Sequence, residues 1–137
     1  MVRSPELEEL VVAWFAGASR GDPSLVDAHV SPGDGTLLIG RDPEEVFRGG
    51  SAVAQFLRGE VQSAAGNAAF SPADIVAFQE GTVGWATTTV TITMPDGKHV
   101  SPRWSAVFHV EDGVWQFVQT HASIGVANQD IGWEYPG

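Results

Sequence analysis

Residues 82–124 read TVGWATTTVTITMPDGKHVSPRWSAVFHVEDGVWQFVQTHASI. Residues 82–94 are rich in Thr and Val, side chains that suit a pleated, half-buried surface. Pro95-Asp96-Gly97 turns the chain, and residues 99–111 return, interrupted early by Pro102. Asp112-Gly113 is a two-residue hairpin signal, because both positions accept the positive φ that such turns demand. Residues 114–124 form the last long strand. A shorter strand over 75–79 precedes them, so the second half of the chain reads as an antiparallel meander.

The first half reads as helices. Leu7, Leu10, Val11, Trp14, Phe15 and Ala18 recur at three- and four-residue steps, one face of a helix over residues 5–19. Ser4 caps that helix, Pro5 fits its first turn, and Glu6, Glu8 and Glu9 favour the positive end of its dipole. A short helix follows Gly21, with Leu25, Val26 and His29 on its apolar face, and a short strand covers residues 36–40. Asp42-Pro43-Glu44-Glu45 has a box-like cap and is expected to start another helix, broken at Gly49-Gly50. A longer helix spans 51–65 and turns Val53, Phe56, Leu57, Val61 and Ala64 inward. Helices followed by a meander define an α+β chain, not an alternating one.

The composition bounds the function. The 137 residues suit one domain, expected to span 1–137. Seven Lys and Arg against seventeen Asp and Glu give a net charge of −10. Binding phosphates needs clustered basic residues, so nucleic acid and an anionic membrane surface are both disfavoured as partners. With no cysteine, disulfides and thiolate chemistry are excluded. No His pair has metal-ligand spacing, and neither a phosphate loop nor a hydrolase elbow is present, so neither metal nor cofactor is expected. No leader or spanning run is visible, and the expected location is cytoplasmic.

Several stretches carry a family resemblance. They are Leu38-Ile39-Gly40-Arg41-Asp42-Pro43, Val46-Phe47-Arg48-Gly49, Gly81-Thr82-Val83-Gly84-Trp85, Pro95-Asp96-Gly97, Asp112 to Gln119, and His121-Ala122-Ser123-Ile124-Gly125-Val126. In this order and spacing the chain resembles the SnoaL-like group of the nuclear-transport-factor-2-like and ketosteroid-isomerase-like superfamily. The resemblance implies a cystatin-like cone, with N-terminal helices packed in a curved antiparallel sheet open at one end. It also implies a homodimer through the outer sheet face. Its members include isomerases, cyclases and dehydratases of apolar small molecules, and also non-catalytic binding or assembly modules.

Counting back from the two turns places Trp104 opposite Thr89 and His121, Ala106 opposite Thr87 and Gln119, and Phe108 opposite Trp85 and Phe117. Side chains alternate along strands, so these nine are expected on one face, a pocket wall; a bulge would turn part of the set away. Trp14 and Phe56 join that wall from the helices, although Trp14 also suits the core.

His121 is the leading candidate for acid–base or hydrogen-bonding work, with His29 behind it; either is equally readable as a structural histidine. Glu60, at the edge of the apolar face of its helix, is a general base if buried and a solvated flank residue if not. The ketosteroid-isomerase mechanism does not transfer: the single tyrosine is Tyr135, in the tail, and residues 82–94, 99–110 and 114–124 hold no carboxylate. The pocket arginines that the resemblance implies for kinase association domains fall on Thr89, Ala106 and Ala122, none of them basic. The expected ligand is therefore a small, neutral, largely hydrophobic molecule. Whether the protein turns it over or only binds it stays open.

Overall fold

Ser4 starts the structure twice. In the computed structural model, which describes residues 1–136, its hydroxyl accepts from the Leu7 N–H at 3.3 Å and caps helix α1 (Pro5–Arg20). Its own N–H donates to the Ala77 carbonyl at 3.0 Å, which ties the helix start to the sheet. Strand β1 (Val2–Arg3) precedes it. Gly21 closes α1 in the left-handed conformation. Helix α2 (Ser24–His29) follows, then β2 (Leu37–Ile39), β3 (Val46–Arg48) and helix α3 (Gly50–Ala64).

The long strands are β4 (Ala69–Glu80), β5 (Val83–Thr93), β7 (Arg103–Glu111) and β8 (Val114–Ser123), with the short β6 (His99–Val100) between β5 and β7 in sequence. A single-turn 3-10 helix (Asn128–Ile131) lies in the tail. The sheet runs β1-β4-β5-β7-β8-β2-β3, with β6 paired to β5. Its neighbours are antiparallel except β2 and β8, which run parallel with Leu38 beside Thr120. The expected α+β architecture is present.

The sequence expectation fails at residues 42–48. The expected cap does form: the Glu45 carboxylate accepts from the Asp42 N–H at 2.9 Å, and the Asp42 carboxylate from the Glu44 N–H at 3.1 Å. The chain then leaves as β3, not as a helix. Val46 and Phe47 favour an extended backbone, β2 offers them a partner, and Gly49, at φ +90, stops any helix four residues on. β4 also begins six residues earlier than expected, at Ala69. Pro72 is tolerated there because β1 reaches only Phe78 and Gln79, leaving the first half of β4 as an edge.

The meander differs from the expected register in two places. The first turn is a three-residue loop, Pro95-Asp96-Gly97, with Gly97 at φ +88 and the Met94 N–H bonded to the Lys98 carbonyl at 2.8 Å. That moves β5 by one residue: Trp104 faces Thr88, Ala106 faces Ala86, and Phe108 faces Gly84. A one-residue slip reverses every side chain. Trp85, Thr87 and Thr89 therefore lie on the outer face.

The second turn is as expected, with Asp112 and Gly113 both at positive φ and Phe108 opposite Phe117. Immediately beyond, β8 bulges at Val118, so that Gln119 faces Val107 and His121 faces Ser105. Gln119 and His121 are turned outward with them. Thr88, Val90, Thr120 and Ala122 take the inward places.

α1 lies in the hollow of the inner face. Leu7, Val11, Phe108 and Phe117 are at most 1% exposed. Leu7 rests on Gly84, where any Cβ would collide with it. Trp14 packs on Phe117 with ring centroids 4.3 Å apart, Phe108 on Phe117 at 4.6 Å, and Phe15 on Trp104 edge to face at 5.2 Å.

At the start of α3, a Cβ on Gly50 would overlap the Ser31 carbonyl and the Pro32 backbone, whereas one on Gly59 would meet nothing. We predict that Gly50→Ala lowers unfolding free energy by about 1–3 kcal/mol, the usual cost of overpacking. Gly59→Ala should raise it by about 0.5–1 kcal/mol through helix propensity. Urea midpoints of the two variants check both signs.

Candidate functional site

At one end of α1 the inner face is not filled. A cavity of about 130 Å³ remains between α1, α3 and the sheet. Its apolar walls are Trp14 and Phe15 of α1, Phe56 and Leu57 of α3, Phe70 of β4 and Trp104 of β7. Phe56 is held in place by Phe47 of β3, with ring centroids 4.5 Å apart. Polar groups come from Thr120 of β8, Glu60 of α3, and Arg41 and Glu45 of the β2–β3 turn.

Two of the lining groups lack protein partners. Among the described residues, no hydrogen bond engages the Trp14 indole N–H or the Thr120 hydroxyl. Yet no fully buried side-chain polar atom is left unsatisfied. Both groups therefore keep some exposure, and both residues line the cavity. They supply hydrogen-bonding capacity to an otherwise apolar wall, the usual make-up of a small-molecule site.

Glu60 stands at the rim and is exposed, as a flank residue of α3 would be. Partial burial, and after it the negative charge of Glu45, raise its carboxyl above the ordinary value, while the Arg41 guanidinium pulls it down. The Glu45 carboxylate is already committed to the Asp42 N–H. Glu60 makes no ion pair within 4.0 Å among the described residues. It is the lining carboxylate that no ion pair engages.

The histidines lie elsewhere. His121 is exposed on the outer face, in a shallow polar groove with Asp74, Arg103 and Ser105. The His29 Nδ1 is 2.8 Å from the Trp115 carbonyl, an anchor between α2 and β8. His109 pairs with Glu111 at 3.3 Å, and His99 opens β6, just after the first turn. Of the expected pocket wall, Trp14, Phe56 and Trp104 line the cavity, and Ala106, Phe108 and Phe117 are packed into the core. Trp85, Thr87, Thr89 and Gln119 are on the far side of the sheet. Thr120 is brought inward by a bulge that is silent in the sequence. Phe70 lies in the part of β4 that precedes the strand expected over 75–79.

Among the described residues no cluster of three His, Asp or Glu could hold a metal, and no helix is long and apolar enough to cross a membrane.

Helices held in the hollow of a large, unclosed, mixed sheet make a cystatin-like α+β cone. The family model of the SnoaL-like domain matches residues 7–127. The chain belongs to the SnoaL-like domain family. Curated proteins give no match. Among solved structures, an NTF2-like protein of unknown function from Pseudomonas putida KT2440 superposes with a TM-score of 0.79 at 17% identity, over 91% of this chain and 88% of its own. An uncharacterized protein with a cystatin-like fold from Caulobacter vibrioides gives 0.73 at 16% identity, over 92% of each chain. A candidate scytalone dehydratase from Novosphingobium aromaticivorans DSM 12444 gives 0.68 at 12%, over 88% of this chain and 82% of its own. At such identities the likeness carries the fold alone.

Glu60 should titrate above the ordinary 4.5 of a glutamate. Removing the like charge in Glu45→Gln should lower its midpoint, and removing the opposite charge in Arg41→Gln should raise it. Because the folded state holds this proton more tightly than the unfolded one, Glu60 makes stability fall as pH rises from 4.5 through the folded value. Side-chain carboxyl NMR titrations of the three proteins check the order, and a Glu60→Gln variant should show a flatter stability profile across that window.

Proposed function

We propose that this protein binds a small, neutral, largely apolar molecule in the cavity at the mouth of the cone, and that Glu60 moves a proton on it. The single observation behind this reading is a carboxylate of raised pKa at the edge of an apolar cavity whose walls retain unpartnered polar groups. A cavity near 130 Å³ takes a molecule of about one six-membered ring, since an engineered apolar cavity of about 150 Å³ admits benzene.

The chemistry follows from that placement. A carboxyl group whose pKa is raised is a better proton acceptor than an ordinary glutamate. The Thr120 hydroxyl and the Trp14 N–H can donate to a carbonyl or hydroxyl of the ligand. Proton removal at carbon, with charge building on such an oxygen, is the step shared by isomerases, cyclases and dehydratases. One structural neighbour is described as a candidate scytalone dehydratase. A second reading, a non-catalytic binding module, draws on the inner sheet face, which holds no carboxylate of its own.

Cyclohexanone in heavy water separates the two. The probe should alter Trp14 and Trp104 fluorescence on binding, and the protein should speed deuterium uptake beside the carbonyl. Glu60→Gln should keep binding within about threefold and lose about 10²–10⁴ in exchange rate. Equal exchange by both proteins, with binding retained, makes it a binding module. No binding of ring-sized neutral probes removes the reading altogether.

The outer sheet face is the surface we propose for a homodimer. Trp85 and Val107 are only half-buried there, among Thr87, Ser105 and Gln119. Sedimentation equilibrium should give twice the chain mass, and Val107→Asp should give a folded monomer.

A further inference from the structure

A second hollow, about 370 Å³, opens against the outer end of the cavity. The two share Arg41, Glu60 and Phe70 as walls. They are therefore neighbours, with those three side chains between them. Beyond them the outer hollow is walled by the C-terminal end of α3, by Ile92 and Met94 of β5, and by Lys98 and His99 at the first turn.

The charges there run against the rest of the molecule, whose net charge is −10. Arg3, Arg20 and Arg58 pair with Glu8, Asp22 and Asp27. Among the described residues Arg41, Arg48, Lys98 and Arg103 have no carboxylate within 4.0 Å. Two of these four, Arg41 and Lys98, line the outer hollow, with His99 beside them and Glu60 as the lone acidic side chain. Carbonyls at the end of α3 would oppose an anion, but the Ala64 carbonyl already accepts from the Asn67 and Ala68 N–H groups at 2.8 and 2.9 Å.

We infer that the ligand is amphipathic: its apolar ring fills the inner cavity, and a carboxylate on a short linker lies in the outer hollow between Arg41 and Lys98. This rests on the proposed occupancy of the inner cavity and extends it. The neutral molecule of that proposal becomes the buried part of a larger one. A guanidinium pairs with a carboxylate through two parallel hydrogen bonds, and an ammonium adds a point charge. Both cations are exposed, so each contributes modestly and is screened by salt.

The test compares 3-phenylpropionate with 3-phenylpropan-1-ol, which carry the same ring and a similar linker. At low ionic strength and neutral pH, calorimetry should show the acid binding about five- to tenfold tighter than the alcohol. The paired variant Arg41→Gln/Lys98→Gln should abolish the acid's preference over the alcohol, both measured on the same protein. Chemical shifts of the Trp14 and Trp104 indole N–H groups report that the ring is inside. Alcohol binding with no preference for the acid, or a preference that survives the paired variant, overturns this inference and leaves the inner-cavity reading standing. If neither compound perturbs the indole signals, both fall together.

Discussion

The position of Phe117 constrains almost everything else. Its ring is wedged between Trp14 of α1 and Phe108 of β7, 4.3 and 4.6 Å away, with Trp104 edge-on at 6.1 Å. Its carbonyl accepts from the Ser31 N–H at 3.0 Å, and Val30 bridges to it in parallel, so the chain after α2 is held by the same residue. One residue later β8 bulges. A buried aromatic cluster of this density resists rearrangement, because interiors are packed like crystals and a displaced ring leaves a void. The bulge therefore occurs beyond the cluster, where the sheet opens and the packing is looser.

That bulge also makes the cavity. Without it, Gln119 and His121 would point inward, filling the mouth with a long amide and an imidazole. With it, Thr120 and Ala122 point inward, both short, and room is left beside Trp104 and Phe56. Bulges bend a strand and re-aim its side chains. Here the re-aiming trades two bulky polar groups for one hydroxyl and a methyl. The mouth stays apolar, and a carboxylate reaching it from α3 meets a medium that disfavours its charge.

Element types were largely readable, and faces were not. The spacing of Leu7, Val11, Trp14 and Phe15 defines α1 and its buried side without ambiguity, and Asp112-Gly113 fixes the last hairpin to the residue. The β2–β3 turn misleads because Asp42 and Glu45 make the same local hydrogen bonds at a helix start and in an isolated turn; only the pairing of Val46–Arg48 with β2 separates the two, and pairing is a long-range property. Pro95-Asp96-Gly97 supports a two- or a three-residue loop with equal ease, and that single residue decides the side of Trp85, Thr87 and Thr89. Period-two alternation has no tolerance for a miscount. Thus Glu60, placed by helical periodicity at the edge of the apolar face, stands exposed at the rim, while His121, placed by strand counting, points away.

The difference bears on where chemistry can reside in this cone. Inner positions of the sheet between β5 and β8 carry only Gly, Ala, Thr, Val, Ile, Phe and Trp. Any group there that titrates would be deep in the core and costly to charge. The helix edge and the β2–β3 turn are different, because their long side chains reach the mouth while their backbones stay in water. Arg41, Glu45 and Glu60 all arrive in this way. Acidity in this chain is concentrated before Gly81, on helices and their connections. Much of it serves as a solvated coat, but at the mouth the same surplus has a local consequence: partial burial raises the Glu60 carboxyl, and Glu45 beside it raises it further, because a second negative charge is harder to hold there.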